Sequence, residues 1–142
     1  MKQEEKELLL KDLCARLKYG VICQVDDGAA GLNDGKLIEI DISKELARFD
    51  ADYYWDAYID DVKPYLRPMS SMTLEEIKYK LSTFFRVINT NIEGVGYIPT
   101  LNSFSAIKFI DWLNANHFDY RGLIEKGLAL EAPEGMYNIK EK

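Results

Sequence analysis

The stretch that most constrains the fold is residues 62–76, which read VKPYLRPMSSMTLEE. Pro64 and Pro68 favour extended backbone in the residues before them, because the proline ring clashes with a helical residue at that position. Thr73 and Glu76 then have the spacing of a capping box, in which each side chain accepts the other's backbone N–H at a helix start. The stretch therefore predicts a structured junction over residues 63–72, followed by a helix.

Helix and strand patterns precede this junction. A helix is predicted over residues 4–18, ended by Gly20, and its apolar stripe comprises Leu9, Leu10, Leu13, Cys14 and Leu17. Residues 21–25 and 37–42 are predicted strands, and strict alternation in the second is expected to turn Ile38, Ile40 and Ile42 toward the core. A helical turn is predicted over residues 43–48. These patterns indicate a two- or three-stranded antiparallel meander covered by helices.

The chain after the junction is predicted to be mainly helical. One helix should run from Thr73 to about residue 89. Another should start near Ser103 or Ser105 and turn its apolar residues inward, namely Ala106, Ile107, Ile110 and Leu113. Asp119 is expected to cap a short helix over residues 120–126, which Gly127 closes. Residues 128–142 show no regular pattern and are interpreted as an irregular tail.

The predicted fold class is α+β, with a small antiparallel sheet of two to four strands packed with three to four helices. A chain of 142 residues is long enough to form one hydrophobic core, so we predict a single domain over residues 1–142. Its parts are an N-terminal helix plus meander (1–62), the proline junction (63–72), a helical part (73–127) and the tail (128–142).

The charge and the apolar pattern limit the classes of function. The net charge of −6 argues against a nucleic-acid or anionic-membrane binder, because both need a positive surface. No stretch approaches the ~20 apolar residues of a membrane span, and the charged N-terminus is unlike a secretory leader, so a soluble cytoplasmic protein is expected. Cys14 and Cys23 are too few for a disulfide scaffold and are expected to be buried. The oligomeric state is left open.

No metal and no cofactor are predicted. Asp50, Asp52, Asp56 and Asp60 lack the glycine and the final glutamate of a calcium loop, and a single histidine does not suit a zinc site. Gly94 and Gly96 are not followed by the third glycine or the lysine of a phosphate-binding loop.

One candidate catalytic group follows the third predicted helix and comprises His117, Asp119, Tyr120 and Arg121. A histidine beside a carboxylate can act as a general acid or base, which would suit a small hydrolase or transferase. The structural interpretation is that Asp119 caps a helix, the aromatic residues pack and His117 closes the preceding helix. The structural interpretation is favoured.

A second candidate lies between residues 50 and 61, where aromatic residues alternate with aspartates. The predicted partner-binding residues are Asp52, Tyr53, Tyr54, Trp55, Asp56 and Tyr58. Tyrosine and tryptophan dominate the binding energy of protein interfaces, and charge selects the partner. Alternatively, the aromatic residues belong to the core. A third interpretation is a nucleic-acid mimic whose carboxylates replace phosphates, namely Asp50, Asp52, Asp56, Asp60 and Asp61.

Two runs resemble a family of short uncharacterised proteins from Bacteroides-type gut bacteria and their phages or mobile elements. The runs are residues 63–73 (KPYLRPMSSMT) and 117–129 (HFDYRGLIEKGLA). The family carries no established activity, cofactor or catalytic residue, so none is transferred. The resemblance implies an accessory protein of a mobile element. With the acidic–aromatic segment, it favours a non-enzymatic protein whose partner is another protein.

Overall fold

The computed structural model describes residues 1–51, 54–76, 86–89, 97–100 and 103–137. Its helices are α1 (Gln3–Arg16), α2 (Leu74–Glu76) and α3 (Ser103–Ala115). Its strands are β1 (Ile22–Asp26), β2 (Leu32–Asp41), β3 (Leu46–Asp50), β4 (Tyr54–Tyr58), β5 (Val62–Leu66), β6 (Arg86–Asn89), β7 (Tyr97–Thr100) and β8 (Leu130–Glu131). Six strands form one sheet in the order β4-β3-β2-β1-β5-β8, and β6 pairs with β7 in a separate hairpin. All pairs are antiparallel except β5 with β8.

The predicted sheet of two to four antiparallel strands is wrong, because the main sheet has six strands and is mixed. Strand β3 occupies part of the predicted helical turn over 43–48. In β3, Ala47 and Phe49 are buried whereas Arg48 and Asp50 are exposed, which is the two-residue period of a strand. Strand β8 lies in the predicted tail, where pairing with β5 organises it. The two-residue pairing of β8 with β5 has no local signal in the sequence.

The buried face of α1 differs from the predicted one. It consists of Leu9, Asp12, Leu13 and Arg16, whereas Cys14 is exposed. The buried stripe is rotated around the helix axis relative to the predicted one, because the helix buries a charged pair, Asp12 and Arg16. A purely apolar pattern assigns these two residues to the surface. The helix then continues as a 3-10 turn and ends at Gly20, whose φ of 65° is the left-handed conformation favoured by glycine.

Strand β2 contains a bulge at Ile38. Leu37 pairs with Phe49 and Glu39 with Arg48, so Ile38 is an extra residue between two pairs. A bulge interrupts the alternation of faces, and Ile38 and Glu39 are both exposed. Ile42 lies beyond the strand and is 65% exposed. The prediction that Ile38 and Ile42 face the core is therefore wrong, while Ile40 packs against the core.

The helix start after the proline junction is confirmed. The Glu76 N–H donates to Thr73 Oγ1 (3.1 Å) and the Thr73 N–H donates to Glu76 Oε1 (2.9 Å). Residues 77–85 lie outside the described residues, and Arg86–Asn89 forms a strand where the predicted helix was to end.

Later helical predictions are only partly correct. Helix α3 begins at Ser103, one of the two predicted starts, but Ile107 and Ile110 are exposed while Leu113 is buried. Residues 120–126 form hydrogen-bonded turns rather than a helix.

The core lies between α1 and the sheet and is completed by the chain that follows α3. Leu9 and Leu13 from the helix meet residues of β1, β2, β3 and β5, and the C-terminal segment supplies Leu123, Leu128 and Ala129. The two ends of the sequence thus share one core. None of the described helices combines the length and the apolar character needed to cross a membrane.

Candidate functional sites

The segment after α3 runs beside the end of β5. The Arg67 N–H donates to the carbonyl of His117 (2.7 Å), and the Asp119 N–H donates to the carbonyl of Arg67 (2.8 Å). These bonds form an isolated parallel bridge between Arg67 and Phe118. The first candidate site, residues 117–121, is therefore anchored to the sheet by its backbone.

A buried carboxylate ties α1 to this segment. Asp12 accepts hydrogen bonds from Arg16 Nε (2.9 Å) and Nη2 (3.1 Å) and from Arg121 Nη1 (2.8 Å). Arg16 Nη2 also donates to the carbonyl of Phe118. Asp12 and Arg16 are fully buried. A buried ion pair depends on such additional hydrogen bonds, because the desolvation cost of both charges is large.

Sequence reasoning missed this cluster, although one signal was present. Asp12 and Arg16 are four residues apart, the spacing that brings opposite charges together on a helix. Exposed pairs of this kind are common, so the spacing alone does not indicate burial.

The structure gives each of the four candidate catalytic residues a contact inside the chain. His117 has a φ of 59°, and its ring stacks on Tyr137 with centroids 3.9 Å apart. The Asp119 carboxylate accepts the N–H groups of Leu123 (2.8 Å) and Ile124 (3.0 Å), so it caps the following turn.

The other two candidate residues, Tyr120 and Arg121, also contact neighbouring residues near the buried carboxylate of Asp12. Tyr120 donates its hydroxyl to Asn114 Oδ1 (2.8 Å), and the Arg121 guanidinium lies 4.6 Å from the centre of the Tyr120 ring. Arg121 also binds Asp12. Through these contacts the four residues connect α1, α3 and the sheet. Their role in catalysis stays a prediction.

A cleft of ≈ 400 Å³ lies beside this junction. Its walls are the segment from Arg67 to Thr73 and the segment from Glu131 to Tyr137. Tyr137 anchors the second wall, because its hydroxyl accepts the N–H of Ile22 (3.0 Å) and donates to the carbonyl of Tyr65 (2.7 Å). Burial raises the pKa of the Tyr137 phenol, so it stays protonated at neutral pH.

The charge of Arg67 in that cleft is already compensated. Its guanidinium donates to both carboxylate oxygens of Glu76 (2.8 and 3.2 Å) and lies 4.0 Å from the centre of the Phe118 ring. Burial alone would raise the pKa of Glu76, but hydrogen bonds from Arg67 and the Thr73 N–H outweigh burial and lower it. The ion pair joins α2 to the residue that follows β5 rather than presenting a free cation to a ligand.

The second candidate site lies at the edge of the sheet. Strand β4 is the terminal strand and, among the described residues, pairs only with β3. Of the predicted partner-binding residues, Asp52 and Tyr53 lie outside the described residues, while Tyr54, Trp55, Asp56 and Tyr58 belong to β4. Asp56 is exposed, and Tyr58 is 62% exposed. The structure thus brings four of the six residues onto one edge strand.

The backbone of β4 alternates between bonded and solvent-facing groups. The N–H of Ile59 donates to the carbonyl of Glu45 (3.0 Å), and the register pairs Tyr58 with Leu46 next to it. Successive residues of a strand direct their backbone groups to opposite sides. The N–H and C=O groups of Asp56 and Tyr58 therefore point away from β3, toward the open edge.

The side chains of β4 also alternate. Ala57 packs against the core, and Asp56 lies on the outer face, where it pairs with Arg48 (3.0 Å). Arg48 also contacts Glu39 (3.2 Å), so one arginine is shared between two carboxylates. Asp50, Asp60 and Asp61 are exposed around the strand, and Asp60 pairs with Lys6 (3.4 Å). This surface carries more negative than positive charge.

Thiol and metal chemistry find little support in the described part of the chain. Burial raises the pKa of the Cys23 thiol, which is fully buried. The pKa of the Cys14 thiol is also raised, because part of this exposed residue is shielded from water. Neither thiol is therefore activated toward the reactive thiolate. Within the described residues, no three His, Cys, Asp or Glu side chains converge in a way that could hold a metal ion.

Comparisons with protein-family models, with curated proteins and with solved structures each find no match. The resemblance to the gut-bacterial family, and the mobile-element role that it implies, therefore stay predictions.

Proposed function

We propose that this chain is a non-enzymatic protein-binding protein that contacts its partner through the β4 edge, which we define as residues 54–61. The observation that carries the proposal is that Asp56 and Tyr58 are exposed residues of the terminal strand of the sheet and that their backbone groups point away from β3. An exposed edge is normally blunted or covered, because it offers a template for pairing with another chain.

The residue types at this edge suit a protein interface. Tyr58 offers a large side chain that loses little conformational entropy on binding, and tyrosine is enriched among interface residues that dominate affinity. The surrounding aspartates would accelerate encounter with a positively charged partner and select against acidic ones.

The outward-facing residues of the β4 edge, Asp56 and Tyr58, do not belong to the core. Ala57 and Ile59 hold the segment in place, since Ala57 packs against the core and Ile59 is fully buried. Asp56 and Tyr58 can therefore be replaced without opening the core, which separates a loss of binding from a loss of folding.

The test is affinity capture from a lysate of the organism that encodes the chain, followed by calorimetric titration of the purified partner. We expect a stoichiometric partner that the double variant Asp56→Ala, Tyr58→Ala loses. The matched control is Asp27→Ala, Leu32→Ala, which removes an exposed acid and an exposed apolar side chain at another surface. The control should bind like the unmodified chain.

Two results would contradict the proposal. One is a partner that the edge variant retains in full. The other is the absence of any captured protein together with an enzymatic activity that His117→Ala abolishes, which would favour the hydrolase or transferase interpretation.

A further inference from the structure

We infer that the occupant of the β4 edge is an extended, basic segment of the partner, which joins the main sheet as an additional strand. This inference rests on the proposed function and adds the binding mode and the chemistry of the ligand. It follows from two features of the edge, its backbone and its charge, and the backbone angles at Tyr58 provide a way to test it.

The backbone requires an extended ligand. The outward N–H and C=O groups of Asp56 and Tyr58 are spaced as in any strand, and an extended chain is the conformation that can bond both residues at once. Addition of a strand to an open edge is an established mode of peptide recognition, in which the main chain gives affinity and alternate side chains give specificity. A helical ligand would leave these groups unpaired.

The charge requires a basic ligand and disfavours a second copy of this chain. The β4 edge contains three aspartates and no lysine, arginine or histidine of its own; Asp56 and Asp60 pair with Arg48 and Lys6 from neighbouring elements, and Asp61 adds a further negative charge. Two copies of β4 paired edge to edge would bring these carboxylates together, and like charges on neighbouring strands are destabilising. Lysine or arginine at alternate positions of the ligand would instead face Asp56 on the outer side of the sheet.

Substitutions at Tyr58 allow the contribution of its backbone N–H to binding to be tested separately from that of its side chain. Its φ of −71° matches the fixed angle of proline, and Ala57 before it is in extended conformation, as a residue before proline requires. Tyr58→Pro therefore removes an outward N–H and leaves the bonds between β3 and β4 in place. Tyr58→Ala removes the same side chain and keeps the N–H.

The experiment measures the binding of a short blocked peptide of alternating lysine and valine by fluorescence anisotropy, and uses the same peptide to compete with the captured partner. We expect saturable, salt-sensitive binding that displaces the partner. A glutamate–valine peptide should not bind. Tyr58→Pro should bind at least about tenfold more weakly than Tyr58→Ala, a difference of about 1.4 kcal/mol in binding free energy.

A second arm does not depend on the folding of the proline variant. Methylation of alternate peptide nitrogens blocks one edge of the peptide, so one methylation pattern should abolish binding to the unmodified chain while the pattern shifted by one residue should not. Urea unfolding of both Tyr58 variants shows whether the proline variant is folded.

The outcomes separate this inference from the proposed function. If the partner is lost equally with Tyr58→Ala and Tyr58→Pro, and the lysine–valine peptide neither binds nor competes, the edge is an interface but strand addition is wrong. If the chain forms a dimer that Tyr58→Pro dissociates, the occupant is a second copy. If neither variant affects partner binding, the proposed function itself fails.

Discussion

The β4 edge and the junction at residues 117–121 carry the same kinds of side chain with different surroundings. Both combine carboxylates with tyrosine, and each has an arginine partner, Arg121 in the junction and Arg48 of β3 beside the edge. In the junction, Asp12, Asp119 and Tyr120 are bonded to groups inside the chain. At the edge, the carboxylate of Asp56 pairs with the exposed Arg48, and Tyr58 is exposed. Residue types alone therefore do not distinguish a binding surface from a structural cluster, whereas the burial of their polar groups does.

The largest expected effect separates these two regions by removing one carboxylate from each. Asp12→Ala leaves the fully buried Arg16 without its counter-charge and should lower the free energy of unfolding by about 3–5 kcal/mol, as is typical when one partner of a buried ion pair is removed. Asp56→Ala should change it far less, because its pair with Arg48 is exposed to water. Urea unfolding of the purified variants measures both.

The same two variants should have the opposite order of effect on affinity for the partner. Below the unfolding transition, Asp12→Ala should retain affinity for the partner, and Asp56→Ala should lose it. If Asp12→Ala binds as weakly as Asp56→Ala while still folded, the junction takes part in recognition and the contrast between the regions disappears.

A smaller effect is expected from single hydroxyl groups. Tyr120→Phe removes the hydrogen bond to Asn114 Oδ1 and should cost about 1 kcal/mol of stability, the usual net value of one such bond. Tyr58→Phe is the matched control, since its hydroxyl belongs to an exposed ring. Equal thermal midpoints for the two variants would show that the Asn114 bond contributes nothing.

The smallest effect concerns the pH dependence of stability. The pKa of Glu76 is lowered in the folded chain, so its contribution is present above the unfolded-state pKa of ~4.3 and is lost as the pH falls through the folded value. Glu76→Gln should therefore flatten the decline in stability below this pH, while Glu75→Gln, at an exposed neighbour, should not. Urea midpoints from pH ~3 to ~6 test this expectation. Identical curves for Glu76→Gln and the unmodified chain would contradict it.

What the sequence predicted correctly depends on contacts between near neighbours. The capping box of Thr73 and Glu76 is complete within four residues, and it forms as expected. The alternation in β2 was also local, but it failed because the extra residue at Ile38 is defined only by the pairing with β3. No pattern within β2 marks that bulge.

The candidate sites likewise depend on contacts between residues that are distant in the sequence. Residues 50–61 stood out by composition, yet their place at the edge depends on the order of all six strands. The burial of Asp12 and Arg16 depends on Arg121, which is 109 residues distant from Asp12 in the sequence. A charge at such a position cannot be recognised as buried until its distant partner is known.

That separation has a consequence for protein synthesis. Asp12 and Arg16 leave the ribosome about a hundred residues before Arg121 and Phe118, a delay on the order of ten seconds at ordinary translation rates. During this time α1 carries two charges on the face that will be buried, without the groups that make their burial favourable. A chain whose translation stops before residue 118 should therefore not be a smaller folded protein but a substrate for chaperones and proteases.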